Sequence, residues 1–296
     1  MISFLKIKQK KMEVLSKGNK GKTIIILTGL GCSFDEWYII TKTLSKTSRV
    51  VIVHRPGLGE SEIGSDVRNT GAVVKELLDL ISVLEITEPI VLVGHSYGGL
   101  CVQHFAKSYP KMVAGMVLVD STSVDLHELD ELDLPILDET DSDEVWLEKC
   151  ISYSSMKQEQ LRILLNPTLS EKQKSFPKEI RQRLLDFQIR PSLYKAMYLE
   201  ISNWKQDAEI IKSLETTLNV PLIVLGRDVE FCIKLGLQGG LPEEELRILE
   251  EKWKELISRQ GNLSSNSKIV FAKNSSHSTH MDRPDIIIHS ISEVLN

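Results

Sequence analysis

Short apolar runs alternate with amphipathic stretches through the first 120 residues of the chain. The apolar runs are rich in β-branched residues and lie at 23–28 (TIIILT), 50–54 (VVIVH), 89–93 (PIVLV) and 113–120 (VAGMVLVD). Helix-type patterns lie between them at 35–45, 69–84 and 97–109. Unbroken apolar runs suit strands that are buried on both faces, so the alternation predicts a parallel α/β sheet. The residues before Thr23 are expected to add one or two antiparallel edge strands.

The pattern of strands and helices is interrupted between residue 121 and about residue 218. This segment contains helical patterns, acidic stretches and scattered prolines, but no convincing β run. Strand-type runs return at 220–225 (VPLIVL) and 268–272 (KIVFA), and helical patterns at 242–260 and 284–295. We therefore predict a core formed by residues 1–120 and 219–296, with a helical insertion at 121–218.

Composition narrows the class of protein. The chain has 296 residues, is 42% hydrophobic and has a formal net charge of −5, so it lacks the basic excess of a nucleic-acid binder. No apolar stretch approaches the ~20 residues of a membrane span, and the apolar run within residues 1–9 is too short for a signal peptide. The four cysteines have no metal-type spacing and are read as free thiols. We expect a cytoplasmic protein without metal or organic cofactor.

The strongest local motif directly follows the run PIVLV. Residues 94–98 read G-H-S-Y-G, which fits the G-x-S-x-G nucleophile elbow. A serine on so sharp a strand-to-helix turn needs neighbours with almost no side chain, which accounts for the flanking glycines. The following helix N-terminus would direct its dipole and free N–H groups at the reacting atom. Ser96 is therefore the predicted nucleophile.

Acyl transfer also needs donors for an oxyanion. The loop after TIIIL reads T-G-L-G, and we assign the two donors to the backbone N–H groups of Leu30 and Tyr97. A dinucleotide-binding loop would need glycine at position 34, where the chain has Phe34.

The base is expected late in the chain, on the loop after the last strand. His277 fits this position, with His280 as the fallback. The acid that orients the imidazole should follow a strand, and two residues do so: Asp228 after VPLIVL and Asp120 at the end of VAGMVLVD. Asp228 is favoured because it fits the chain order Ser, Asp, His; Asp120 remains the alternative.

Together these segments resemble the α/β-hydrolase superfamily, in its cap-bearing branch of serine hydrolases and esterases. The resemblance rests on TGLG, HRPGLGES, GHSYGG and HSTHMDRPD. These motifs are spread along nearly the whole core. It implies a mostly parallel eight-stranded sheet flanked by helices, with a helical cap inserted after the sixth strand. Thr28 and His54 depart from the histidine and aspartate that are usual at their positions. Asp228 lies one residue closer to Gly226 than in many relatives, which keeps Asp120 open.

The expected function is hydrolysis of a small ester or related acyl substrate by a serine hydrolase. An amphipathic stripe in the insertion includes Tyr194 and Tyr198, which could line the substrate or simply pack the insertion. Two alternatives remain: an acyltransferase or lyase on the same scaffold, and a ligand-binding signalling module with a slow or vestigial triad. Serine at the elbow, rather than aspartate, argues against dehalogenase or epoxide hydrolase chemistry.

Overall fold

The core of the protein is an eight-stranded, mostly parallel sheet. The computed structural model describes all 296 residues. The strands are β1 (Ile2–Ile7), β2 (Lys10–Lys17), β3 (Thr23–Leu27), β4 (Arg49–Val53), β5 (Ile90–His95), β6 (Val113–Val119), β7 (Leu222–Gly226) and β8 (Ser267–Phe271). Their order is β1-β2-β4-β3-β5-β6-β7-β8. The pairs β1–β2 and β2–β4 are antiparallel and all others are parallel, which confirms the predicted fold class and the antiparallel edge.

Thirteen α-helices accompany the sheet. Those of the core are α1 (Tyr38–Leu44), α2 (Thr70–Val83), α3 (Tyr97–Ser108), α10 (Val229–Gln238), α11 (Glu243–Arg259), α12 (Thr279–Asp282) and α13 (Pro284–Leu295). Those between β6 and β7 are α4 (Pro135–Asp141), α5 (Asp143–Ser154), α6 (Gln158–Leu165), α7 (Glu171–Lys174), α8 (Lys178–Gln188) and α9 (Pro191–Ser213). None of the helices combines the length and apolar character needed to cross a lipid bilayer.

The unbroken apolar runs of the sequence are explained by a sheet covered on both faces. Ile25 and Leu27 of β3 pack into a cluster that includes Phe105 of α3, whereas Ile24 and Ile26 pack into a second cluster with Ile287 of α13. Successive side chains of a strand point to opposite faces, so a strand covered on both sides needs apolar residues at every position.

The helices between β6 and β7 pack around a separate apolar cluster, to which Leu58 of the core also contributes. Leu193, Ala196 and Met197 of α9 are buried there together with residues of α5, α6 and α8. Helix α9, the longest of the chain, packs against α2 and α3 of the core. Two core helices, α10 and the four-residue α12, have no counterpart in the sequence prediction. The residues of α10, VEFCIKLGLQ, mix β-branched residues, an aromatic residue and glycine, which obscure a helical pattern.

The carboxyl ends of the parallel strands meet at one edge of the sheet. Ser96 directly follows β5 and Asp120 directly follows β6. Asp228 lies two residues beyond β7, and His277 lies on the loop after β8. Ligand sites of open α/β sheets form at this edge, so the fold gathers the sequence candidates in one region.

Candidate active site

Ser96 occupies a sharp turn between β5 and α3. Its backbone lies at φ 52° and ψ −126°, with a positive φ that L-residues rarely adopt. Such a conformation costs about 1–3 kcal/mol and persists only where the surroundings enforce it. Here the Ser96 N–H donates to Val119 O (3.2 Å), and Ser96 O accepts from the N–H groups of Gly99 (2.8 Å) and Thr122 (3.1 Å). Hydrogen bonds on both sides of the residue thus hold the strained turn.

The glycines around Ser96 are required by close backbone packing. A Cβ atom on Gly94 would lie 2.6 Å from the Cα of Gly99, and one on Gly98 would lie 2.3 Å from the carbonyl oxygen of Leu27. Both distances are far below van der Waals contact, and the obstructing atoms are backbone. The G-x-S-x-G spacing is therefore explained by the space available in this turn.

The loop after β3 lies directly against Ser96. A Cβ atom on Gly29 would be 3.1 Å from the Cβ of Ser96, which places the backbone of this loop in contact with the serine. The N–H of Leu30 donates no hydrogen bond within the protein. Tyr97 is the first residue of α3, where N–H groups have no intrahelical acceptor. Both predicted donors therefore sit beside Ser96.

Arg55 holds the loop after β3 from behind. Its guanidinium donates to the carbonyl oxygens of Thr28 (2.6 Å) and Gly29 (3.1 Å). It also forms a bidentate ion pair with Glu200 of α9, at 2.8 and 2.9 Å. The side chain lies over the ring of Tyr97, 5.1 Å from its centroid. Arg55 stands within the HRPGLGES motif, but no sequence pattern indicated this role for it.

His277 pairs with Asp120. The Nδ1 atom of His277 lies 2.6 Å from Oδ2 of Asp120, whose side chain is fully buried. The His277 side chain is 41% exposed, so its other face is open to a reacting group. Of the two acids that the sequence left open, the structure thus brings the alternative, Asp120, to the histidine.

Asp228, the favoured acid, lies elsewhere. Its Oδ1 accepts from the N–H of Phe231 (3.3 Å) and so caps α10, while its Oδ2 accepts from the N–H of Asn274 (2.9 Å). Both carboxylate oxygens are thereby used by backbone groups, and neither is hydrogen-bonded to His277. The preference for Asp228 is corrected by this geometry, in which its short side chain serves a helix N-terminus and the neighbouring loop.

The carboxylate of Asp120 is surrounded by donors. Its Oδ1 accepts from the backbone N–H of Arg227 (3.1 Å) and from Nε1 of Trp253 (3.0 Å). Burial by itself raises the pKa of Asp120, but the positive charge of Arg227 and the hydrogen bonds from His277 and Trp253 outweigh it and lower the pKa to about 2. Asp120 is therefore ionised throughout the neutral range. Neither Arg227 nor Trp253 carried a signal in the sequence.

His95 joins the serine turn to the histidine loop. Its Nε2 lies 2.9 Å from the carbonyl oxygen of His277, so this nitrogen carries the proton and donates it. Burial and the neighbouring His280 and His277 hold the pKa of His95 well below its usual range. No hydrogen bond joins the Ser96 hydroxyl to His277. His95, which precedes Ser96, instead ties the two loops together.

His280, the fallback base, is engaged in a separate contact. It is buried, stacks on Trp37 with 5.0 Å between ring centroids, and lies 3.2 Å from Oε2 of Glu36. Its ring also lies 4.6 Å from that of His95. His280 therefore packs the histidine loop against the residues around Trp37, whereas His277 contacts a buried carboxylate.

Met197, rather than either predicted tyrosine, reaches the loop after β3. Its Sδ would lie 2.7 Å from a Cβ atom on Gly31. The backbone of Gly31 has φ 62°, a conformation that favours glycine. Tyr194 is buried within the insertion, and its hydroxyl donates to Gln188 O (2.6 Å). Tyr198 is half-buried and packs against the same apolar cluster. No group of three or more His, Cys, Asp or Glu side chains is arranged to hold a metal ion.

The comparisons with known proteins agree with this architecture. A sequence profile of the alpha/beta hydrolase fold matches residues 22–142. An uncharacterized protein of Bacillus subtilis, YqjL, is 24% identical over 94% of this chain and 85% of its own length. A thermophilic esterase from Thermogutta terrifontis matches with a TM-score of 0.68 at 19% identity, covering 99% of this chain and 97% of the other. A mutant epoxide hydrolase from Vigna radiata matches with a TM-score of 0.72 at 15% identity, covering 100% of this chain and 98% of the other.

The sheet order, the serine turn after β5 and the profile match over residues 22–142 together define the fold. The chain has the α/β-hydrolase fold. Members of one fold carry many chemistries, so the reaction has to be argued from the site itself.

Proposed function

We propose that the protein is a serine hydrolase that acts on a small ester or related acyl substrate through Ser96, His277 and Asp120. One observation carries the proposal: Ser96 stands in a strained turn at the end of β5, while Asp120, at the end of the neighbouring β6, holds His277 by a 2.6 Å contact. A nucleophile, a base and an ionised orienting group thus occupy one edge of the sheet.

The chemistry follows from these positions. His277 removes the Ser96 proton while Oγ attacks the acyl carbon, and the tetrahedral oxyanion accepts from the N–H groups of Leu30 and Tyr97. His277 then protonates the leaving alcohol, which departs and leaves an acyl-enzyme. Water attacks that ester by the reverse steps, with His277 again taking and returning the proton. Asp120 stays ionised and stabilises the imidazolium in both halves.

The missing hydrogen bond between Ser96 and His277 is compatible with this mechanism. Catalytic hydrogen bonds are often long in free enzymes and tighten only when substrate is bound. The absence of this hydrogen bond also favours a second candidate function, a ligand-binding protein whose triad is slow or vestigial. The two are separated by measured turnover.

Serine at the elbow favours an ester over an epoxide. Opening an epoxide through a covalent intermediate uses a carboxylate nucleophile, whereas Ser96 supplies a hydroxyl, which suits acyl transfer. The likeness to an epoxide hydrolase is therefore one of fold, and the reaction we propose is acyl transfer.

We further propose that residues 121–218 form a cap over the site. Met197 of α9 lies against Gly31, and Leu30 packs against the apolar clusters of both the core and the insertion. These contacts support an apolar wall beside the oxyanion donors and hence an uncharged, apolar acyl or alcohol group. The lining role first given to Tyr194 and Tyr198 passes to Met197 in this proposal.

Labelling with a fluorophosphonate followed by peptide mapping tests the nucleophile. An adduct on Ser96 is expected, and it should be lost in Ser96→Ala and His277→Ala. Ser82→Ala, which alters an exposed serine of α2, is the matched control and should label like the wild type. Release of p-nitrophenol from p-nitrophenyl esters of graded chain length then measures turnover.

The outcomes separate the candidate functions. Undiminished ester hydrolysis by a folded Ser96→Ala variant would refute the proposal. A folded wild-type protein that is not labelled, and that melts at much higher temperature with a bound acyl ligand, would favour the binding module. Product analysis with an added alcohol distinguishes hydrolysis from acyl transfer to that alcohol.

A further inference from the structure

The loop after β7 and helix α11 surround the carboxylate that contacts His277. We propose that Trp253 and Arg227 are positioning residues, which hold Asp120 so that one carboxylate oxygen faces His277, and that Glu250 partly neutralises the charge of Arg227. This inference rests on the proposed function, because it concerns how the same site is oriented. None of the three side chains is assigned a direct contact with substrate.

Trp253 and Arg227 divide the carboxylate of Asp120 between two tasks. The indole Nε1–H of Trp253 (3.0 Å) and the backbone N–H of Arg227 (3.1 Å) both donate to Oδ1. Oδ2 faces His277 at 2.6 Å, with Nη1 of Arg227 at the longer distance of 3.4 Å. Two donors on one oxygen fix the rotation of the carboxylate and leave the lone pairs of the other directed at the imidazole.

Trp253 also forms a wall beside the imidazole. Its ring stands at 89° to that of His277, with 5.7 Å between centroids, an edge-to-face arrangement. The same indole therefore restrains both members of the Asp120–His277 pair. Its N–H fixes the carboxylate, and its ring limits the tilt of the histidine.

The guanidinium of Arg227 makes its shorter hydrogen bonds to Glu250 and a longer one to Asp120. Its Nε and Nη2 donate to the two oxygens of Glu250, both at 2.8 Å, whereas Nη1 lies 3.4 Å from Oδ2 of Asp120. The guanidinium rests on the face of Trp253, 4.4 Å from the ring centroid. Arg227 thus acts on Asp120 as a nearby positive charge, and its strong hydrogen bonds go to Glu250, so the carboxylate remains available to His277.

The charges of this group balance when His277 is protonated. Asp120 and Glu250 then carry two negative charges, and Arg227 and the imidazolium carry two positive ones. Glu250 and Trp253 are three residues apart and so lie on the same face of α11, which delivers both to the site. Without Glu250, the charge of Arg227 would oppose protonation of His277.

Other titratable groups near His277 are few. Its ring faces that of His95, which burial keeps neutral, and Asp282 accepts from the N–H of the preceding residue, Ser276 (2.9 Å). Beyond His95 lies His280 with its partner Glu36. None of these groups is altered in the variants below, so differences between variants report on Arg227 and Glu250.

Trp253→Phe tests the positioning of the carboxylate. The phenyl ring keeps the edge contact with His277 but removes the donor to Oδ1. We expect kcat for p-nitrophenyl acetate to fall about tenfold while KM stays within about twofold of the wild-type value. Trp146→Phe is the matched control, because it removes an indole donor to an exposed aspartate, Asp141, and should leave kcat unchanged.

Two charge variants test the balance, with opposite expected signs. Arg227→Met removes a positive charge near His277. The acid limb of the pH profile of kcat/KM should therefore move to higher pH, by roughly half a pH unit or more. Glu250→Gln leaves the charge of Arg227 uncompensated, and the limb should move to lower pH. The double variant should return the limb towards the wild-type position. Arg247→Met, which alters a half-buried arginine of α11, is the control.

The results separate this inference from the proposed function. If the wild type has no Ser96-dependent turnover, the function itself is overturned. If that turnover is present, but Trp253→Phe keeps full kcat or the two charge variants leave the acid limb in place, the positioning roles are overturned and the function stands. A lowered melting temperature with an unshifted acid limb would assign these residues to stability alone.

Discussion

Arg55 and Glu200 form a bidentate ion pair in which both side chains are almost completely buried. Arg55 belongs to the loop after β4 and Glu200 to α9, so the pair joins the core to the helical insertion. The same guanidinium binds the two carbonyl oxygens that precede Leu30. One side chain therefore links the position of α9 to the position of a proposed oxyanion donor.

Breaking this pair should affect stability and activity separately. Arg55→Met leaves Glu200 buried without a partner, and we expect a loss of about 3–5 kcal/mol in the free energy of unfolding. The double variant Arg55→Met/Glu200→Leu should recover much of that loss, because no charge stays unpaired. Its kcat should remain low, since the carbonyls of Thr28 and Gly29 still lack their donor. Urea titration and ester hydrolysis of the three proteins measure both effects; full recovery of kcat would contradict the loop-holding role.

The identity of the acid is tested by a matched pair of variants. Asp120→Asn should lower kcat by about a thousandfold or more, because the amide does not stabilise the imidazolium and favours the wrong tautomer of His277. Asp228→Asn should retain most of the activity and lose at most about 1–2 kcal/mol of stability through a weaker helix cap. Steady-state kinetics of both purified variants decide the matter, and a larger loss in Asp228→Asn would reverse the assignment.

Gly98→Ala should prevent the serine turn from closing. The new methyl carbon would lie 2.3 Å from the carbonyl oxygen of Leu27, a backbone atom that has no room to move aside. We expect a destabilisation of about 3 kcal/mol or more. Gly71→Ala is the control, since its nearest neighbour would be the side-chain oxygen of the N-cap residue Asn69, 3.5 Å away, and replacing a glycine within α2 should add up to about 0.5–1 kcal/mol. Chemical denaturation of both variants should give changes of opposite sign.

Asp207 should make stability fall with rising pH. Burial raises its pKa to about 6, although the N–H of Thr70 at 2.8 Å favours the ionised form. Because the folded pKa lies above the unfolded value of about 3.9, the folded state loses stability as pH rises from about 4 to 6 and stays lower above that range. Asp207→Asn, whose amide oxygen still accepts from Thr70, should therefore raise the melting temperature at pH 8 and change it little at pH 4.

The control for this prediction is Asp133→Asn, which alters an exposed aspartate of the insertion. It should have equal effects at the two pH values. A gain for Asp207→Asn that is as large at pH 4 as at pH 8 would show that its ionisation is not the cause.

The fold could be predicted from the sequence because its signals are local. A strand covered on both faces needs a solid apolar run, and the parallel strands β3 to β7 each appear as one. The serine turn is equally local, since the glycines that permit it lie within three residues of Ser96. Helices α10 and α12 are the exceptions, although Asp228 supplies a conventional N-cap that could have indicated the start of α10.

The partner of His277 could not be chosen by the same means. Asp120 and Asp228 both follow strands that lie side by side, so the chain places either carboxylate near the histidine loop. The choice depends on backbone direction: φ is 40° at Asp120, whereas Asp228 has an extended backbone and turns to cap α10. Arg227, Trp253 and Met197 reach the site from three distant segments, and long-range packing of this kind has no periodic signal in a single sequence.

The two ends of the helical insertion are held together by neighbouring strands of the sheet. Asp120 and Leu225 are joined by a backbone hydrogen bond of 2.7 Å, so the sheet itself closes the segment between them. For a segment held at both ends, doubling the length adds only about 0.6 kcal/mol of closure entropy. Selection, or a protein engineer, could therefore exchange most of the insertion for one of another length and shape while Ser96, Asp120 and His277 stay on an unaltered scaffold. New substrates would then require a different insertion and a new partner for Arg55, while the proposed reacting groups stay unchanged.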